Sequence, residues 1–207
     1  MADRVVVIDY GVGNVGSVLN ILKRIGADAV ISGREEDIAT AGRLILPGIG
    51  AFDNGMRRLR ATGLVPLLHE RVIDAGVPLL GICLGMQLLT QGSEEGVEPG
   101  LGWIDGDVVR FHFPEGTPGL RVPFIGWSTI EPCRPTRALK GIPADAEFYF
   151  VHSYHVRCSS DVVAAQTDYG YPFASAIEKD NIVGVQFHPE KSQRAGMAVL
   201  RNFLQRF

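Results

Sequence analysis

The sequence predicts an α/β fold, with a sheet that is parallel in the first half and carries antiparallel strands in the second, and with helices on both faces. Three observations carry this. In the first half, runs that are apolar at every position, such as Val5-Val6-Val7-Ile8, alternate with segments whose apolar residues recur at helical spacing. Strands buried on both faces mark a parallel sheet covered on both sides. Past residue 102 the strands become short and lie close together, the mark of antiparallel pairing. Between the two regions, residues 92–102 hold four glycines, one proline and three glutamates and read as an exposed loop.

The elements follow in order. A strand is expected over 5–10, then a glycine turn and a helix over 17–25, with Val18, Leu19, Leu22 and Ile25 at helical spacing. Strands are expected over 28–32 and 43–46, the latter ended by Pro47-Gly48. Residues 64–75 read as a helix with Leu64, Leu67, Leu68, Val72 and Ile73 on one face, followed by a strand over 78–82 and a helix over 84–90. In the second half, strands are expected over 107–111, 125–130, 147–152, 162–166 and 173–178, the last turning through 179–181 into a strand over 182–187. A closing helix starts at Ser192, an N-cap residue type, and runs to Phe207 with Met197, Leu200, Phe203 and Leu204 inward. No repeat, low-complexity tract or linker interrupts the chain, so residues 1–207 are expected to form one domain, burying about 70% of the unfolded surface.

Composition narrows the partners. Twenty Lys and Arg against 23 Asp and Glu give a net charge of −3, with no basic excess to grip a phosphate backbone; no nucleic acid partner is expected. Cys83, Cys133 and Cys158 are odd in number and far apart, without a Cys-x-x-Cys pair, which suggests neither a disulfide framework nor a metal site. The opening Met-Ala-Asp-Arg and its four following apolar residues are too short for a secretory leader. The uncharged stretch 76–93 contains Pro78, internal glycines, Gln87 and Gln91, and reads as strand, turn and helix instead of a membrane span. A cytoplasmic protein, with no membrane association, is expected.

One motif points toward nucleotide binding. Gly11-Val-Gly-Asn-Val-Gly16 has the G-x-G-x-x-G pattern between a strand and a helix, and Glu35 stands where a ribose-binding acid would. Against it, Asp9 and Tyr10 crowd the approach of a pyrophosphate, and neither a second mononucleotide-binding half nor a separate substrate domain follows. The motif is expected to be a glycine-rich turn that holds no dinucleotide, and no cofactor is expected.

The stretch Gly81-Ile-Cys-Leu-Gly85 points toward acyl transfer. A lone intracellular cysteine is usually an inert small hydrophobe. Here the cysteine sits between a strand and a helix with a glycine two residues away on each side, as the serine does in the nucleophile elbow of hydrolases. At the amino end of a helix the amide dipoles favour thiolate. A thiolate nucleophile needs a base, and the base an orienting partner. Of the five histidines, His69 reads as a surface residue, His112 has no acidic neighbour of clear purpose, and His152 and His155 end a strand at rim or core. His188 ends the 182–187 strand with Glu190 two residues on, so that the carboxylate can turn back to the imidazole. Pro47-Gly48-Ile49-Gly50 leaves its strand at the same sheet edge, where its backbone N–H groups, with that of Leu84, could hold an oxyanion. Gly48 and Gly50 would let the intervening peptide rotate at low cost, switching a donor in or out.

Together, "GICLGMQ" (81–87), "GVQFHPEKS" (184–192) and "PGIGAF" (47–52) closely resemble the class I, or triad-type, glutamine amidotransferases. "VVVIDYGVGNVGSVLN" (5–20), "VPFIGWS" (122–128) and "FYFVHSYHV" (148–156) are similar to the glutaminase subunits of imidazole glycerol phosphate synthase, a resemblance spanning nearly the whole chain. It implies a flavodoxin-like class I amidotransferase sheet, with Cys83 as nucleophile, His188 as acid/base and Glu190 as its orienting carboxylate. Gln87 and the Ser153-Tyr154 backbone would hold the amino-acid end of glutamine. The implied partner is a (β/α)8-barrel cyclase, in a heterodimer, that uses the released ammonia to make imidazole glycerol phosphate and an aminoimidazole carboxamide ribotide. Trp127 and Lys191 are candidate contacts to it; without a partner they would read as a core and a surface residue. Ser128 stands where such subunits usually have Asn. The alternatives are a glutaminase of anthranilate or para-aminobenzoate synthesis, a γ-glutamyl hydrolase, or a non-catalytic module on the same scaffold. The GVGN turn and the GWS segment argue against the first two, and the intact triad against the last.

Overall fold

The computed structural model describes residues 4–114, 117 and 119–207. In chain order the first half holds β1 (Val5–Ile8), α1 (Val15–Arg24), β2 (Ala29–Ser32), α2 (Glu35–Thr40), β3 (Arg43–Gly48), α3 (Phe52–Ala61), α4 (Val65–His69), β4 (Leu79–Cys83) and α5 (Leu84–Leu88). The second half holds β5 (Gly92–Ser93), β6 (Gly106–Arg110), β7 (Phe124–Thr129), β8 (Glu131–Pro132), β9 (Glu147–His152), β10 (Tyr154–Cys158), β11 (Val163–Asp168), β12 (Pro172–Lys179), β13 (Ile182–Val185) and α6 (Gln193–Arg206).

The main sheet has eight strands in the order β2-β1-β3-β4-β13-β12-β11-β8. β2, β1, β3 and β4 are parallel, as expected from their unbroken apolar runs. β13 pairs antiparallel with β12 and parallel with β4, so the last strand returns to the middle of the sheet. Because successive residues of a strand face opposite sides, β1 feeds two cores. Val6 and Ile8 pack with Ile38, Met56, Leu59 and Leu68 on one side. Val5 and Val7 pack with Val18, Leu22, Val199, Leu200 and Phe203 on the other.

Several expectations change. Among the described residues, the second-half strands do not all join one sheet: β7 pairs with β9, and β10, β6 and β5 form a three-stranded sheet. Two helices, α2 and α3, stand in segments to which the sequence assigned no element; α3 carries Gly55 and three arginines. Residues 64–75 are not one regular α-helix. After α4 the chain widens to a π-helical turn over Glu70–Asp74, with the Ala75 N–H donating to the Glu70 carbonyl at 2.9 Å. The loop at 92–102 is tied down by Asp53, whose carboxylate accepts from the N–H groups of Val97 and Glu98. Ser192 precedes α6 but its side chain does not cap it. Its Oγ donates instead to the His188 carbonyl at 2.7 Å and accepts from the Tyr149 N–H at 3.0 Å.

Among the described residues, no helix is long and apolar enough to cross a membrane.

Candidate active site

Cys83 is the last residue of β4 and caps α5, with φ +54°, a left-handed conformation that a non-glycine residue seldom adopts. The surrounding backbone shows why glycines flank it. A Cβ on Gly81 would lie 2.8 Å from the Gly85 carbonyl oxygen, and one on Gly85 only 1.8 Å from the Leu46 carbonyl oxygen. On the neighbouring strand, a Cβ on Gly48 would lie 2.7 Å from the Tyr10 hydroxyl and 2.9 Å from Leu84 Cβ. Gly48 pairs with Cys83 in the β3–β4 register and sits under the turn. Sharp geometry and close packing together hold the thiol at the carboxyl edge of the sheet.

β13 lies beside β4 with Val185 opposite Ile82, so the chain leaving it passes next to Cys83. His188 is in an extended conformation, and Pro189–Lys191 then forms a single 3-10 turn. That turn, not a continued strand, brings Glu190 back: His188 Nδ1 lies 2.8 Å from Glu190 Oε1, with both side chains buried. The carboxylate accepts the Nδ1 proton, which leaves Nε2 free of oxygen and nitrogen partners. Burial alone would lower the basicity of this imidazole. Hydrogen bonding and charge from Cys83 and Glu190 outweigh burial and raise its pKa to about 9. The loop is clamped from both sides, by the His188 N–H donating to the Tyr149 carbonyl at 2.9 Å and by α6, where a Cβ on Gly196 would lie 1.9 Å from the Pro189 oxygen.

A cavity of about 400 Å³ opens over this pair. Cys83 and His188 line it together with Gly50, Leu84, Gln87, Ser153, Tyr154 and Lys191 from among the expected site residues. Gly48, Glu190 and Trp127 do not line it; the first two lie behind the reactive side chains. Gly50 has φ +90° and empty space around its Cβ position, and Ile49 beside it is 48% exposed. Conformational freedom in this segment thus rests on Gly50, while close contacts hold Gly48. Gln87 Nε2 donates to the Tyr154 carbonyl and to Gln186 Oε1, both at 3.0 Å, so only its own oxygen can serve a ligand.

The sequence did not single out Glu95, Tyr149 or Gln186. Glu95 lines the cavity, and its Oε2 accepts from the Phe52 N–H at 2.8 Å; it sits in the stretch that read as an exposed loop. Tyr149 stands between Trp127, packed edge-on at 5.7 Å between ring centroids, and Lys191, whose Nζ is 5.3 Å from its ring centre. Its ring is 6.4 Å from that of His188. Trp127 is 44% exposed, which removes the core reading, and His69 is exposed as expected while accepting from Trp103 Nε1 at 3.2 Å. His152 and His155 are both buried, and His152 also lines the cavity. The turn at 11–16 uses its own side chains: Asp9 accepts from the Gly11 N–H, and Asn14 caps α1 by accepting from the Ser17 N–H at 3.4 Å. Among the described residues no group of three His, Cys, Asp or Glu side chains could hold a metal ion.

A cysteine on a strained strand-to-helix turn thus lines one cavity with the imidazole of a buried His–Glu pair, an arrangement with the parts that acyl transfer requires. Residues 6–207 match the glutamine amidotransferase class-I family, and the chain belongs to that family. It is 50% identical over 202 residues to imidazole glycerol phosphate synthase subunit HisH 2 of Pseudomonas aeruginosa, covering 97% of this chain and 98% of that one. The subunit of the same name from Methanococcus maripaludis is 44% identical with the same coverage. A solved glutamine amidotransferase has the same fold, with a TM-score of 0.73 at 22% identity over 97% of each chain.

Proposed function

We propose that this chain is the glutaminase subunit of an imidazole glycerol phosphate synthase, a cytoplasmic single-domain enzyme of histidine biosynthesis. The observation that carries the reading is the juxtaposition in one cavity of Cys83, at φ +54°, with His188, whose ring is held from behind by the buried Glu190 carboxylate. The relatives at 50% and 44% identity support this pathway over anthranilate or para-aminobenzoate synthesis.

In this reading the Cys83 thiolate attacks the side-chain amide carbon of glutamine, and the Cys83 proton resides on His188. Backbone N–H groups of Leu84 and of the Ile49-Gly50 segment hold the oxyanion. Protonated His188 gives its proton to departing ammonia, then takes one from the water that cleaves the thioester, releasing glutamate. Gln87 Oε1 and the Glu95 carboxylate are acceptors suited to the α-ammonium group of the substrate, beside the Ser153-Tyr154 backbone. Ammonia passes to a (β/α)8-barrel cyclase. Trp127 and Lys191, both against Tyr149, would report the partner's state to the site.

Two results are expected. Steady-state glutamine hydrolysis will be low alone, and kcat will rise about 100–1,000-fold with the cyclase and its nucleotide ligand, the value of one oxyanion donor. Equal kcat in both conditions removes the Gly50-based switch, and no hydrolysis in either removes the glutaminase reading. The second result concerns pH. Because the His188 pKa is raised to about 9, its proton is held through neutral pH and lost as pH rises through that value, and hydrolysis falls on the same limb. Glu190→Gln removes a charge that favours the protonated ring, so the basic limb moves down by about one pH unit, a tenfold change in proton affinity. A pH–rate profile that keeps its basic limb in this variant contradicts the assigned pairing.

A further inference from the structure

Gln186 follows β13 directly and is fully buried, two residues before His188. Its Nε2 donates to Cys83 Sγ at 3.7 Å, an ordinary length for a bond to sulfur. A carboxamide taken wholly out of water is costly unless it is hydrogen-bonded, and a methionine or leucine would fill the space more cheaply.

The direction of this amide is fixed by its neighbours. The Tyr154 carbonyl can only accept. Gln87 must therefore present its nitrogen there, at 3.0 Å, and His152 must present a protonated Nδ1 to the same oxygen at 2.8 Å. The second N–H of Gln87 points to Gln186 at 3.0 Å, so Gln186 answers with its oxygen. Its nitrogen is left facing the sulfur. One main-chain carbonyl thus sets the polarity of a hydrogen-bond chain that ends on the nucleophile.

We propose that Gln186 is a further catalytic residue, whose carboxamide N–H stabilises the Cys83 thiolate, with Gln87 as the positioning residue that keeps the amide oxygen turned away from sulfur. This rests on the reading of Cys83 as the nucleophile. When the thiol proton moves to His188, the negative charge stays on sulfur, and an N–H donor bonds a thiolate more strongly than a thiol. As the carbon–sulfur bond forms, that charge passes to the substrate oxygen and the Gln186 bond relaxes. Gln186 therefore acts on the attacking form, not on substrate binding.

The test compares full-length wild type with Gln186→Met, which removes the donor, and Gln186→Glu, which places a like charge against the sulfur. Alkylation of Cys83 by iodoacetamide is followed from pH 5 to 9, with the adduct located by mass spectrometry. Glutamine hydrolysis is measured in parallel. Both variants are expected to alkylate at least about tenfold more slowly at pH 7, the value of one hydrogen bond to a charged group. Glu should be slower than Met, the pH profile displaced upward, and kcat lowered with KM within about twofold. A folded variant whose alkylation profile overlays that of wild type, or whose loss lies wholly in KM, overturns the role of Gln186. If wild-type Cys83 itself takes no adduct, the nucleophile reading fails and this inference with it. Labelled wild type with unaltered variants defeats the Gln186 role alone.

Discussion

Cys83→Ala is expected to lower glutamine hydrolysis by at least about 10⁴-fold if Cys83 is the nucleophile we propose, because removing one member of a catalytic group that works as a unit costs nearly everything the unit supplies. The rest of the site should remain standing. Cys83 ends β4 as one of several buried residues, and its backbone angle is imposed by Gly48, Gly81 and Gly85 around it. The melting temperature should therefore stay within a few degrees of wild type. With the proposed cyclase present, the complex should still turn over when ammonia is supplied directly, since on that reading the route bypasses the thiol. Hydrolysis within tenfold of wild type would mean that the chemistry lies elsewhere in the cavity. Loss of the ammonia-dependent reaction as well would mean that the substitution had damaged docking.

Gly85→Ala should damage the fold and the site together. The added Cβ would stand 1.8 Å from the Leu46 carbonyl oxygen, a main-chain atom that cannot rotate away. Either β3 or the start of α5 must move, and both carry parts of the site: Gly48 to Gly50 on one side and Leu84 to Gln87 on the other. Overpacking of this kind costs about 3 kcal/mol or more, which for a chain of this size lowers the melting temperature by roughly 6–12 °C. Displacing the nucleophile by about 1 Å costs on the order of 100-fold in rate. Gly16→Ala is the control, because nothing lies within 4 Å of its Cβ position in α1; it should melt at the wild-type temperature or slightly above. Thermal melts of both variants, with hydrolysis assays, check this. A Gly85→Ala protein as stable and active as the control would show that the turn is not packed as described.

Local chemistry made much of the molecule legible in the sequence. The unbroken apolar runs that became β1, β3 and β4 read as strands buried on both faces, and they belong to the parallel half of the sheet. The spacing of glycines about Cys83 predicted a sharp turn; the demand on Gly81 is local, from the Gly85 carbonyl, whereas that on Gly85 comes from Leu46 on the neighbouring strand. His188 and Glu190 declared a pair for the same reason, although the path between them is a 3-10 turn and not an extended chain. The short helix α2 and the helix α3 were not legible. Gly55 counts against a helix in isolation, yet in the fold its missing side chain admits Leu84 and Leu88, whose methyl groups would lie 3.0 and 3.3 Å from a Cβ there.

What only the tertiary structure decided is which distant segments meet. Nothing local says that β13 inserts beside β4, more than a hundred residues earlier in the chain, yet that pairing alone puts His188 and Gln186 against Cys83. Strand pairing is set by long-range burial and hydrogen bonding, which leave no periodic trace in either partner. For the same reason, the separate β7–β9 sheet, the bridging ring of Tyr149 and the use of Ser192 as a tie in place of a cap appear only once the chain is folded. A buried polar side chain such as Gln186 reads in sequence like any other residue near the end of a strand. Its function depends on which carbonyl, amide and sulfur the fold places around it.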